Sequence, residues 1–284
     1  MSRGNRGGWH DGNPMDGRAA PSAWHKAATF VRAEGAGTML KLLGMLFAAG
    51  KLGKVATTGL TMIISVFAYA LVFGMPYAVG LVLLIFVHEM GHFLAARQRG
   101  LAVGAPTFIP FVGAWIQMKD LPHDVETEAY VGLAGPVAGT VGALCCYVFA
   151  RSYHSDLMLA LAYGGFFLNL FNLIPLSPFD GGRITAIVSP RVWLLGVPIL
   201  AGLFFWRPSP MLIVMALLAA PHAWKALRFD PKAPENVAYY DVPTATKLRY
   251  GIFYLALAAY LAVMTGEVHE MLQGARRVVN GDPL

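Results

Sequence analysis

From residue 57 to residue 265 the chain passes through seven apolar stretches, at about 57–75, 77–97, 129–150, 157–176, 192–206, 210–228 and 249–265. No other feature restricts the fold so much. A segment placed in hydrocarbon must satisfy its own backbone N–H and C=O groups, which leaves helices or a closed barrel. These stretches are continuous and not alternating, and most approach the ~20 residues a helix needs to cross the apolar layer. The expected class is an all-α polytopic membrane protein with six to seven transmembrane helices. The fifth and seventh stretches are the shortest. Composition agrees: 56% of residues are hydrophobic and 13% charged, against ~25% charged in soluble domains.

The net charge is +6, but the basic residues do not form a nucleic-acid stripe. They flank apolar stretches, as at Lys51–Lys54, Arg97–Arg99 and Lys225–Arg228, which is the pattern of the positive-inside rule. Nucleic acid is therefore excluded as an expected partner, and the lipid bilayer is expected. The basic residues before the first stretch place the N-terminus in the cytoplasm. Arg276 and Arg277 then fall outside, so whether 249–265 spans the membrane stays open. Residues 1–37, rich in Gly, Arg, Asp and Pro, are expected to be a disordered cytoplasmic tail. Residues 38–56 read as an amphipathic lead-in, 57–228 as the transmembrane core, and 229–284 as a loop with a last spanning or interfacial helix. Cys145 and Cys146, adjacent in an apolar stretch, read as packing residues.

One connection is unusual. Ala105 to Met118, "APTFIPFVGAWIQM", is apolar and aromatic but broken by Pro106, Pro110 and Gly113. Such a stretch is poor helix material and favours a short β or re-entrant segment near 105–118. Two roles stay open: a packing loop, or a strand whose free edge, around Phe111, Val112, Gly113 and Ala114, takes an extended peptide.

The second stretch carries His88, Glu89 and His92, an H-E-x-x-H sequence inside an apolar helix. Ionisable residues are costly there and mark function. At i and i+4 two imidazoles share a helix face and can hold one tetrahedral Zn²⁺, with the adjacent Glu placed as a base. A third ligand is needed. Asp180 is the candidate: it follows the fourth stretch, on backbone that Pro175, Pro178, Gly181 and Gly182 make irregular. By the orientation above, Asp180 and the histidines arrive at similar depth on the cytoplasmic side. Gly132 to Gly139, "GLAGPVAG", has small-x-x-small spacing and is expected to pack the third stretch closely against the second and fourth. Asn169 is assigned a structural interhelical hydrogen bond. His123, His154 and His222 are assigned no chemistry.

HEMGH at 88–92, GLAGPVAG at 132–139 and NLFNLIPLSPFDGG at 169–182 together resemble the site-2 protease family of intramembrane zinc metalloproteases. The resemblance covers roughly residues 80–185, with no insertion long enough for a PDZ domain. It implies one Zn²⁺ per chain held by His88, His92 and Asp180, with Glu89 as general base. Asn172 and Pro175 match the family's Asn and Pro, and Asn172 is a candidate for binding substrate or the oxyanion. Phe179 stands where the family often has Leu, and Gly139 where it often has Asn. Membrane proteins with a transmembrane segment are the expected substrates, and a prokaryotic cytoplasmic membrane the expected location, with the active site towards the cytoplasm. The alternative is a metal transporter or sensor using the same ligands. A transporter is expected to show internal repeats, and HEMGH has no counterpart in the second half of the chain.

Overall fold

Gly74 separates the first two helices among the described residues. It sits at φ 84, where a residue without Cβ is at ease, and Pro76 enters the first turn of the next helix, where its missing N–H costs nothing. In this computed structural model, α1 (Lys54–Phe73) and α2 (Met75–Gln98) follow one another directly across that glycine. The structure describes residues 54–111, 113–118 and 122–280. The expected tail at 1–37 and lead-in to residue 53 lie outside the described residues, as does Val112.

After α2 come β1 (Val103–Ile109) and β2 (Gly113–Met118), then α3 (Val125–Tyr153) and α4 (Asp156–Asn172). Asp124 caps α3 by accepting the Thr127 N–H at 2.7 Å, and Ser155 caps α4. α4 stops at Asn172, short of the expected 176. Pro175 cannot continue a helix and disfavours helical geometry in the residue before it. A non-helical passage then leads into the short α5 (Asp180–Thr185). A 3-10 helix (Pro190–Leu195), α6 (Gly196–Trp206), α7 (Pro210–Leu227), α8 (Pro234–Tyr239) and α9 (Thr244–Asn280) complete the described chain.

Five of these helices are long and apolar enough to cross a membrane: α1, α2, α3, α7 and α9. α4, at 17 residues, reaches about 26 Å and lies enclosed, with Leu161, Ala162 and Phe166 buried. α9 exceeds expectation. Its candidate spanning stretch runs from Thr244 to Gly274, past the Glu267, His269 and Glu270 that end the apolar stretch in the sequence. It lies antiparallel along α4: Tyr254 donates to the Leu173 carbonyl at 2.6 Å, Phe166 meets Tyr260, and Tyr163 meets His269. Phe67, Leu83, Phe205, Trp206, Ile252 and Phe253 point outward and exposed, a distribution suited to lipid and not to water. The molecule is an all-α, polytopic integral membrane protein with one small sheet.

That sheet is an antiparallel hairpin pairing Thr107 with Trp115, Phe108 with Ala114 and Ile109 with Gly113. α1 holds its β1 side. Thr58 donates to the Pro106 carbonyl at 2.6 Å, the Phe108 N–H donates to Thr61 Oγ1, and the Phe111 N–H donates to the Tyr69 hydroxyl.

Candidate metal centre

α2 carries His88, Glu89 and His92 into the interior, where all three are buried. Each imidazole is fixed through Nδ1: His88 to Asn169 Oδ1 at 2.8 Å and His92 to the Val131 carbonyl at 2.7 Å. A carbonyl only accepts, so His92 Nδ1 carries the proton. The Asn169 amide is set the same way, because its Nδ2 donates to the Gly165 carbonyl at 2.7 Å and turns Oδ1 towards His88. Both rings are thereby held with a bare Nε2 facing inward.

Asp180 meets those two nitrogens. Its Oδ2 lies 3.1 Å from His88 Nε2 and its Oδ1 3.2 Å from His92 Nε2, and the two Nε2 atoms are 3.1 Å apart. A tetrahedral Zn²⁺ with ligand distances of about 2.0–2.1 Å requires ligand atoms about 3.3 Å apart. The donor set therefore fits. Lone-pair atoms of three side chains converge in a buried place, with the proton-bearing Nδ1 of each imidazole committed elsewhere, an arrangement that calls for a cation among them. Among the described residues this is the one group of its kind.

The surrounding backbone explains why the groups can meet. A Cβ on Gly135 would strike the His92 ring, one on Gly139 the Asn169 amide, and one on Gly91 the Ala134 carbonyl. GLAGPVAG thus brings α3 close to α2 and α4, as its spacing suggests, and each glycine seats a particular group. Asp180 is the first residue of α5, after an extended Phe179. Cβ atoms on Gly181 or Gly182 would meet the backbone of residues 173–177, so this turn packs on the passage leaving α4. From the other side Trp193 Nε1 donates to the Gly182 carbonyl at 2.8 Å.

Other candidates fall as follows. Asn169 makes the interhelical bond expected of it, but to a ring of the candidate metal set, so it orients one of the three candidate donors. An Asn in an apolar helix gives the same local signal whatever its partner, and the sequence carries no mark of this one. Asn172 ends α4, half-buried and three residues beyond Asn169. In the hairpin, Phe111 stands in the turn at φ 64 with its ring edge-on to Tyr69, Gly113 pairs opposite Ile109, and Ala114 opposite Phe108.

Residues 76–155 match the model of Peptidase family M50. The match takes in α2, the hairpin and α3, with His88, Glu89 and His92, and ends before Asp180. The chain is 30% identical over 111 residues to a zinc metalloprotease of Methanocaldococcus jannaschii, covering 37% of this chain and 32% of that protein. It is 38% identical over 81 residues to the probable chloroplastic zinc metalloprotease EGY1 of Arabidopsis thaliana, covering 27% of this chain and 14% of the relative. To EGY2 of the same plant it is 25% identical over 189 residues, covering 47% and 34%. The matches span about a third or less of these relatives' length. They bear out the resemblance to the site-2 protease family and to zinc metalloproteases.

Proposed function

We propose that the protein is an intramembrane protease that hydrolyses peptide bonds in or beside the transmembrane segments of other membrane proteins. One observation carries this: a zinc-type donor set with a buried glutamate beside it, enclosed by helices long and apolar enough to span a bilayer. Zn²⁺ held by His88, His92 and Asp180 would supply a Lewis acid that polarises the scissile carbonyl and lowers the pKa of water to about 7. Glu89 takes the proton from the attacking water and returns it to the leaving amine. His88 and His92 keep their orientation through Asn169 and Val131 while charge develops. Asn172, one turn along α4 from Asn169, donates from its amide to the scissile carbonyl oxygen.

A helical substrate hides its peptide bonds in internal hydrogen bonds and must be drawn out before it is cut. The hairpin supports a place for this. The Phe108 N–H and Pro106 carbonyl bond to α1 and point away from β2. Their partners Ala114 and Ile116 therefore turn their own N–H and C=O groups away from β1. Among the described residues that edge has no strand beside it, and an extended substrate segment adds to it as a third strand. The basic flanks of the apolar stretches support a cytoplasmic-facing site in a prokaryotic cytoplasmic membrane.

The test is substrate trapping. Cells carrying Glu89→Gln in place of the wild type are compared by mass spectrometry of membrane-protein termini. The expected result is uncleaved membrane proteins accumulating in the variant, with wild-type cuts falling inside or within a few residues of a transmembrane segment. Cuts confined to soluble domains would overturn the proposal.

A further inference from the structure

A second site lies away from the metal centre, where the end of α7 meets the 3-10 helix and α8. A cleft of about 470 Å³ opens there, with Trp193, Trp224 and Tyr240 among its walls and Lys225 and Arg228 beside them. The Arg228 guanidinium stacks over the Trp224 ring, 4.5 Å from its centre. Arg191 reaches the rim, donating from Nη2 to the Phe229 carbonyl at 3.2 Å. Among the described residues one carboxylate lines the cleft, that of Asp230, and it accepts the Lys232 backbone N–H at 2.9 Å. Arg191, Lys225 and Arg228 are exposed, and none of them pairs with a carboxylate among the described residues.

We infer that this cleft binds the phosphate-bearing headgroup of an anionic phospholipid. Its position selects that occupant. Lys225 lies in the last turn of α7, a helix apolar enough to cross the bilayer, so the cations stand where a spanning segment leaves the hydrocarbon. Tryptophan and tyrosine sit well at that level, and basic residues there meet anionic headgroups. The aromatic walls suit the glycerol and ester region, and the exposed cations Arg191, Lys225 and Arg228 suit the phosphate. A zwitterionic headgroup would add a positively charged ammonium group beside those cations and is disfavoured. The cleft shares a wall with the catalytic turn, because the Trp193 indole that lines it donates to the Gly182 carbonyl.

The full chain, purified in detergent and stripped of lipid, is titrated with phosphatidylglycerol, phosphatidylcholine or soluble glycerol phosphate, and retained molecules are read by native mass spectrometry. Lys225→Gln/Arg228→Gln is compared with Arg97→Gln/Lys247→Gln, which removes the same charge elsewhere. Wild type is expected to retain phosphatidylglycerol over phosphatidylcholine. The cleft variant should bind it about tenfold more weakly or worse, and the control variant should bind as wild type. Equal losses in both variants, or equal retention of both lipids, would overturn the inference. Glycerol phosphate bound as tightly as phosphatidylglycerol would also overturn it, assigning the cleft to a soluble phosphate ester. Zinc content reports folding in each variant; should the double variant lose zinc, Lys225→Gln alone carries the comparison.

Discussion

His88 and His92 are set by what lies behind them. Each Nδ1 bonds to a fixed acceptor, Asn169 Oδ1 or the Val131 carbonyl, and the Nε2 atoms follow. Removing such a partner typically costs about 10- to 100-fold in metal affinity. Asn169→Ala is therefore expected to weaken zinc binding in that range, measured by competition with a chelator, whereas Asn172→Ala should leave affinity unchanged and lower turnover. If the two effects are exchanged, the roles assigned to the two residues are wrong. Gly135→Ala places a Cβ against the His92 ring and should reduce zinc occupancy. Gly202→Ala, which meets nothing within 4 Å, should leave occupancy as it is. The meeting of these side chains was readable from residue type and spacing: two histidines one turn apart with a glutamate, and one carboxylate on broken backbone after another apolar stretch. The orienting contacts were not readable, since Val131 acts through its backbone and Asn169 through a partner 81 positions away.

Helix starts and stops followed local chemistry closely. Gly74 marks an end by its positive φ, and Asp124 and Ser155 cap through their side chains. α4 ends before Pro175, and α9 runs on past Glu267 because its buried stripe, with Leu261 and Val268, continues against α4. Packing of that kind overrides the local polar signal. The β or re-entrant character of 105–118 was visible in its prolines, aromatics and β-branched residues, and the strand begins slightly earlier, at Val103. Its register was not, because that depends on hydroxyls of Thr58 and Thr61 and on Tyr69, all on α1. Those contacts commit the β1 side and leave the Ala114 edge outward. Ala114→Pro removes one donor from that edge and none from the ladder to β1. It is expected to lower turnover of a transmembrane substrate about tenfold or more, while zinc content and thermal stability stay near wild type. Full activity in this variant would exclude strand addition at β2.

The bundle gathers a metal-type donor set in its buried interior, among helices apolar enough to cross a membrane. α2, α3 and α4 bring their polar groups to one depth, the passage after α4 delivers Asp180, and α1 supports the hairpin beside them. Exposed apolar side chains such as Phe253 and Leu255 on α9 give this arrangement a lipid-facing exterior. Depletion with a strong chelator should abolish cleavage, and stoichiometric Zn²⁺ should restore it; activity that survives full depletion would rule out a metal-dependent reaction. The most direct measurement pairs zinc content with turnover in purified, lipid-reconstituted wild type and Glu89→Gln, using a single-span membrane protein as substrate. The expected result is one zinc per chain in both proteins and cleavage by the wild type alone. Cleavage by Glu89→Gln at the wild-type rate, with zinc bound, would contradict the account.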